Sequence, residues 1–458
     1  MSSPRRTSQY LAAFIVMALA CLGPRPAAAQ DQIPGVNLGL VYSGSYVPAL
    51  AVQPFTGRFG GSGLAPEVES IVSNDLTNSD RFEMLSDLPA GFVRDQVDYA
   101  LWDRLGAVWL VTGTLEGAGD GYVLLIELHD VVYGEVRQQG RFRIPGATDP
   151  DYRMAVHRAS DEIVRWATGD PGMAATRIAF TMRGLRDDGV TYNEVYLIDS
   201  DGENLRRMTD FQDMLASPAW SPDGSKIAYT SWKSGYPRIY QLELATGEET
   251  MLPPVRGAGD YITPTYSPDG RTLAFSVLGS DARSGIFTYN VAEDCCLAYL
   301  SGGPWYDLGP TYSPDGRWMA FNTLRYGDAT PQVMIMPAEG GSVETLSPYQ
   351  YGSGGYFTSP DWSPRGDLIA FHGAIERGRY HILVADLEDG GRVLRQLTNE
   401  GNNEDPTWAP DGRHIAFVGE RSWGYGLLVV DATTGKVRPL LAGQRVELPD
   451  WSGPLRAR

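Results

Sequence analysis

The 458-residue sequence predicts an α/β N-terminal domain followed by an all-β six-bladed propeller, with four strands per blade and the ring closed by the C-terminal strand. Three observations lead to this class. One phrase recurs at blade-like spacing. A short apolar strand with a central alanine follows each full copy. The first such strand has no phrase before it, while the last phrase has no strand after it.

The phrase is Pro218-Ala-Trp220-Ser-Pro-Asp-Gly224, repeated from Pro264, Pro310, Pro360 and Pro406 and truncated at Pro449-Asp-Trp451-Ser-Gly-Pro454; the steps are 46, 46, 50, 46 and 43 residues. A period in this range, with several short strands per unit, marks propeller blades. Ser-Pro-Asp-Gly combines a preset φ, a side-chain acceptor and a residue tolerant of positive φ, so it reads as a hairpin turn. Second strands follow at Lys226-Ile-Ala228-Tyr, Thr272-Leu-Ala274-Phe, Trp318-Met-Ala320-Phe, Leu368-Ile-Ala370-Phe and His414-Ile-Ala416-Phe. Alternation puts the alanine on one face, where a small side chain lets the next blade approach. A third strand follows in each unit, as at Arg238-Ile-Tyr-Gln-Leu, then a weaker fourth such as Arg395-Gln-Leu-Thr398. The proline is expected to open each innermost strand, an edge position that tolerates it. Arg177-Ile-Ala179-Phe180 has no phrase of its own, so the orphan phrase from Pro449 should pair with it and close the ring.

Residues 30–168 lack the repeat. Val68, Ile71, Val72 and Leu76 have helical spacing, as do Ala155, Val156, Ala159, Ile163 and Val164, the latter helix with Asp149 as expected N-cap and Pro150 at N1. Strand-like runs lie at Ala107–Leu115 and Tyr122–Leu128. The expected organisation is a cleaved signal peptide over 1–29, an α/β domain with an extended N-terminal segment over 30–168, and the propeller over 169–458.

The leader has Arg5 and Arg6, an apolar run from Leu11 to Leu22 and Ala27-Ala28-Ala29, the three parts of a secretory signal. The run is short of the roughly 20 apolar residues a spanning helix needs, so a periplasmic chain without direct membrane insertion is expected. Loss of Arg5, Arg6 and Arg25 takes the formal net charge from −18 to −21. Nucleic acid and anionic membrane surfaces are poor partners for such a chain, and basic protein surfaces are favoured. Cys295 and Cys296 are the only cysteines left. They read either as a redox-active vicinal pair or as structural thiols or a strained disulfide beside a strand.

No catalytic constellation stands out. Gly-x-Ser-x-Gly is absent, and His129, His157, His372, His381 and His414 never stand at a metal-ligand spacing. Asp199-Ser-Asp201-Gly202-Glu-Asn204 lacks the downstream Glu of a calcium loop and reads as a hairpin turn. No cofactor is expected, although a cation such as calcium in the central channel stays open. Recognition is expected on the face where loops lead into each inner strand. Those loops carry Asp260 and Tyr261, Trp305, Tyr306 and Asp307, Tyr351 with Tyr356 and Phe357, and Asn402 and Glu404 with their neighbours Asn403 and Asp405. Tyrosines interleaved with acids suit a protein-binding surface.

The layout resembles the TolB family, the periplasmic component of the Tol–Pal cell-envelope system. The resemblance rests on the propeller phrase, Leu448-Pro-Asp-Trp-Ser, Val52-Gln-Pro54-Phe55 and Ala159-Ser-Asp161-Glu162, and covers essentially the whole mature chain. It implies a non-enzymatic adaptor whose loop face binds a Pal-like peptidoglycan-associated lipoprotein; a monomer is expected because the ring closes on itself. It also implies that an N-terminal strand carrying Val36, Leu38, Leu40 and Tyr42 binds a TolA-like inner-membrane protein by strand addition. Two of the family's Pal-contact positions, His and Thr, are Asp260 and Leu308 here. The alternative from another class is a propeller enzyme or a small-ligand or carbohydrate binder, which would need carboxylates, histidines or a metal converging in the channel.

Overall fold

In the computed structural model the described residues are 37–38, 46–86, 97–254, 259–279, 283–325, 330–346, 355–374, 379–388 and 393–455. The expected signal peptide, Val36, Leu40, Tyr42 and Tyr351 therefore lie outside them. Of the expected partner-binding strand, β1 (Asn37–Leu38) is described; its backbone runs parallel to Val393–Leu394 on the outer edge of a blade.

The α/β part is built on β2 (Ala49–Val52), β3 (Thr56–Arg58), α1 (Ala65–Asn78), β4 (Glu83–Met84), α2 (Tyr99–Arg104), β5 (Trp109–Ala118), β6 (Gly121–Asp130), β7 (Glu135–Ile144) and α3 (Tyr152–Thr168). The sheet order is β4-β2-β5-β6-β7, with β3 also pairing β5; β5, β6 and β7 form an antiparallel meander. Both expected helices are present, and Val68, Val72, Leu76, Val156, Ala159 and Ile163 bury their apolar stripes in one core with Leu115, Leu124 and Leu128 of the sheet. The start of α3 differs from expectation. Asp149 accepts Asp151 N–H through its side chain (2.8 Å) and Tyr152 N–H through its carbonyl (3.1 Å), forming a turn that delays the helix to Tyr152. Helix α3 stops at Gly169, whose φ of +81° suits the left-handed cap.

Six four-stranded antiparallel blades follow. The first is closed by Val446–Trp451 pairing with Arg177–Leu185, in the register Trp451↔Ile178 and Val446↔Met182, as the orphan phrase predicts. The repeated alanines behave as expected: all six are fully buried, and Ala228, Ala274, Ala370 and Ala416 each pack into the next blade's cluster. The phrase turn is held by its own side chains. Ser221 Oγ donates to Asp223 (2.6 Å), Asp223 accepts Ser225 N–H (3.0 Å), and Lys226 N–H donates to Ser221 Oγ (2.8 Å).

The prolines do not open the inner strands; those strands begin three or four residues earlier. Each proline sits at a register slip, and the residue before it is left-handed in all six blades: Ser217, Thr263, Gly309, Ser359, Asp405 and Leu448, with φ between 50° and 60°. A bulge is the one place inside a strand where a missing N–H does no harm, so the ring carries a proline bulge in every inner strand.

Candidate functional site

Four antiparallel strands bring the lead-in to each inner strand and the turn between second and third strands to the same end of every blade. The α/β part holds the opposite end. Arg413 Nη2 donates to the Asp80 carbonyl (2.7 Å), Lys436 Nζ to Asp80 Oδ1 (2.5 Å), and His414 Nε2 lies 3.3 Å from Asp80 Oδ2. Arg153 from α3 pairs with Asp201 in the third-to-fourth strand turn of the first blade. Among the described residues the lead-in face is therefore the open one.

On that face the structure separates the expected contact residues into two groups. Tyr261 and Asp307 are each only 1% exposed. Both lie inside inner strands, because the bulge lets those strands begin before the proline. Phe357 and Asn403 are buried for the same reason. Asp307 accepts from Thr323 Oγ1 (2.5 Å) and from Arg325 Nη2 (2.7 Å), and Asp260 lies 3.5 Å from Arg238 Nη1, so these carboxylates position cations. Tyr306, Tyr356, Asn402 and Glu404 remain partly exposed. Tyr356 packs on Tyr380 with ring centres 5.1 Å apart; Asn402 donates to Glu420 (3.1 Å) and accepts from Tyr380 N–H (3.2 Å). Burial, helped by Asp405, holds the Glu404 carboxyl above its ordinary value.

Three cations organise the open face in a common way, each bridging an exposed ring to a buried one. Lys233 Nζ stands 3.9 Å from the centres of both Phe211 and Tyr240. Arg238 stands 5.9 Å from Tyr236 and 5.5 Å from Tyr261, and Arg325 stands 5.7 Å from Trp305 and 5.8 Å from Phe321. Such contacts contribute roughly 0.5–2 kcal/mol each and fix the outer ring before any partner arrives. Tyr236 is 65% exposed and would otherwise be loose. With Met214, Leu185 and Trp423, these rings spread apolar surface around the open face. Sequence reasoning missed the cations and most of these rings. A signal was present: Lys233, Arg325 and Arg421 each stand four residues after the second-strand aromatic, Tyr229, Phe321 or Phe417.

The central channel, about 290 Å³, is lined by the six bulges, including Thr263, Pro310, Ser359 and Leu448. Two carboxylates that the sequence reading did not single out stand there. Asp361 accepts Trp408 N–H (2.7 Å) and Asp450 accepts Trp220 N–H (2.6 Å), each tying its blade to a neighbour. Burial pushes Asp361 up to about 6 and, with Asp361 nearby, Asp450 up to about 8. A channel cation would meet these oxygens together with the Asp405 carboxylate, which also lines the channel. Two other His and Asp groups lie close enough to share an ion, but Arg153 already pairs with Asp201 in one, and Lys436 and Arg413 pair with Asp80 and Asp431 in the other.

Fold and face together define a six-bladed propeller protein carrying an α/β N-terminal domain. The family model described as "TolB beta propeller domain" matches residues 164–455, and that described as "TolB amino-terminal domain" matches residues 43–136. The "Tol-Pal system protein TolB" of Gluconobacter oxydans is 31% identical over 401 residues, covering 86% of this chain and 84% of the relative. The protein of that name from Methylococcus capsulatus is 35% identical over 215 residues, so that match spans about half of each chain, 46% and 49%. The crystal structure of TolB from Acinetobacter baumannii, 25% identical, superposes with a TM-score of 0.76 over 89% of this chain and 97% of that one. The chain belongs to the TolB family of Tol–Pal system proteins. Among the described residues no helix is long and apolar enough to cross a membrane.

Proposed function

We propose that the chain is a non-enzymatic periplasmic adaptor of the Tol–Pal system. It links a TolA-like inner-membrane protein to a Pal-like peptidoglycan-associated lipoprotein, serving outer-membrane integrity and envelope constriction at division. The observation that carries this reading is the open propeller face, opposite the α/β part, on which Lys233, Arg238 and Arg325 hold exposed rings in place. Pre-positioned aromatics with a polar rim are what a protein-binding hot spot requires. Tyr306, Tyr356, Asn402 and Glu404 supply part of that rim. The N-terminal segment around Leu38 takes the TolA-like partner through main-chain pairing. No cofactor enters this function, and the monomer acts alone because its ring closes on itself.

Co-purification from the host's own envelope extract tests both ends. The full mature chain should recover a peptidoglycan-binding lipoprotein and a TolA-like protein, whereas a form lacking residues 30–42 should recover only the lipoprotein. Recovery of neither by the full chain would remove the adaptor assignment and direct attention to Asp361 and Asp450 in the channel.

A further inference from the structure

We propose that the Cys295–Cys296 disulfide is a thiol–disulfide exchange site for a dithiol oxidoreductase, and that its redox state sets the order of the outer strand Cys295–Tyr299 of the third blade. The two cysteines are bonded to each other. Adjacency fixes their α-carbons 3.8 Å apart, below the roughly 4.4–6.8 Å spanned by an ordinary disulfide. The ring therefore closes only over a distorted backbone. That distortion is visible: Cys296 is left-handed at φ +68° and Asp294 at φ +53°.

The distortion falls at a register slip. Asn290 faces Cys295 and Thr288 faces Ala298, so Cys296 and Leu297 together stand opposite Tyr289. Glycine commonly takes the left-handed position of such a bulge, because a side chain there crowds the following carbonyl oxygen. Here the disulfide ring holds Cys296 in it. Reduction removes that constraint. The neighbouring turn is pinned independently, by Tyr289 Oη donating to Asp294 (2.8 Å) and Glu293 N–H to Asn290 Oδ1 (2.9 Å). The strand itself has few other anchors: it is the edge of its sheet, its side chains are mostly exposed, Leu297 packs on the blade's core, and its far end is held by the Tyr299 ring stacked on Phe287 at 4.7 Å. The change is thus confined to Cys295–Tyr299.

Cys296 is the exposed partner and Cys295 the half-buried one. A thiolate of the oxidoreductase attacks Cys296 Sγ, the Sγ–Sγ bond breaks, and Cys295 leaves as thiolate. The second thiolate of the oxidoreductase then attacks its own sulfur in the mixed disulfide and releases Cys296. Two electrons pass to this chain, both cysteines take up a proton, and the oxidoreductase is left as a disulfide.

The experiment uses the folded mature chain with dithiothreitol as the dithiol. Iodoacetamide labelling followed by intact mass should find no reactive thiol before treatment and two after it. Amide exchange over residues 295–299 should rise by about tenfold or more on reduction, while Thr272–Leu278 in the same blade stays protected. Cys296→Gly supplies the left-handed residue without the ring, so its exchange there should stay at the oxidised level with or without dithiothreitol. A disulfide that resists dithiothreitol in the folded chain, or reduction without faster exchange over 295–299, would overturn the proposal. Cys296→Gly exchanging like the reduced wild type would overturn the role given to the ring.

Discussion

Asp161 on α3 is a buried carboxylate with both of its oxygens in use. They accept Ala174 N–H (2.7 Å) and Ala175 N–H (2.9 Å), fastening the helix to the chain that enters the first blade. Gly172 lies so close that an added Cβ would meet Asp161 Oδ1 at 2.1 Å. Burial pushes this carboxyl up to about 7 against the pull of the two donors. Asp161→Ala leaves two buried N–H groups without an acceptor and should cost about 2–4 kcal/mol in denaturant unfolding, at roughly 1–3 kcal/mol per orphaned group after partial relaxation. The Ala159-Ser-Asp161-Glu162 motif was legible as a family mark, but its task was not, because the partners lie 13 and 14 residues downstream, across a joint that no local pattern encodes. The burial of Tyr261 and Asp307 was illegible for a related reason: an aromatic or an acid just before a strand reads the same whether it faces solvent or a neighbouring blade.

The blade was the most legible element, since alternation, turn chemistry and the small alanine all act within a few residues. Its inner strand was less so. A proline normally reads as a strand boundary, and only the structure reveals that two or three residues pair on its N-terminal side, as Asp307 and Leu308 do with Thr323 and Asn322. The left-handed residue before each proline carries a cost of about 1–2 kcal/mol when it bears a side chain. Gly309 escapes that cost in its blade. Gly309→Ala should therefore destabilise by about 1–3 kcal/mol, because the new Cβ would also meet Asn322 Oδ1 at 2.9 Å. Ser217→Gly, which relieves the same conformation, should be neutral or stabilising by up to about 1 kcal/mol in the same urea titration. Loss of stability in both would show that the bulge is not where the backbone is strained.

Across the whole molecule, two buried histidines each join the α/β part to the propeller. His157 Nδ1 lies 2.8 Å from Asp75 in its own domain, with Asp201 of the first blade 3.7 Å from Nε2. His414 Nδ1 lies 2.6 Å from Asp411, with Asp80 of the other domain 3.3 Å from Nε2. Burial alone would lower both pKa values, but the flanking carboxylates reverse this and hold both above the ordinary 6.5. A histidine raised in the fold lends stability that is complete below its unfolded pKa and lost as pH rises through the folded one. Asp361 and Asp450, raised to about 6 and about 8, act in the same direction. Unfolding stability should thus fall as pH rises from about 4 to about 8 through Asp361 and Asp450, and further as the two histidines lose their protons above 6.5, with amide protection at Ser79–Phe82 lost in that upper range; His414→Gln should flatten that local loss, and a rise in stability over this range would contradict the assignment. The central claim is that the open face binds a partner through rings held by cations. Its most direct test is a calorimetric titration of the mature chain with the soluble domain of the host's Pal-like lipoprotein, comparing wild type with Trp305→Ala and with Trp318→Ala, an exposed tryptophan beside the opposite face. Binding weakened about tenfold or more by Trp305→Ala and unchanged by Trp318→Ala is the expected result. Equal affinity for all three proteins, or no binding by the wild type, would contradict it.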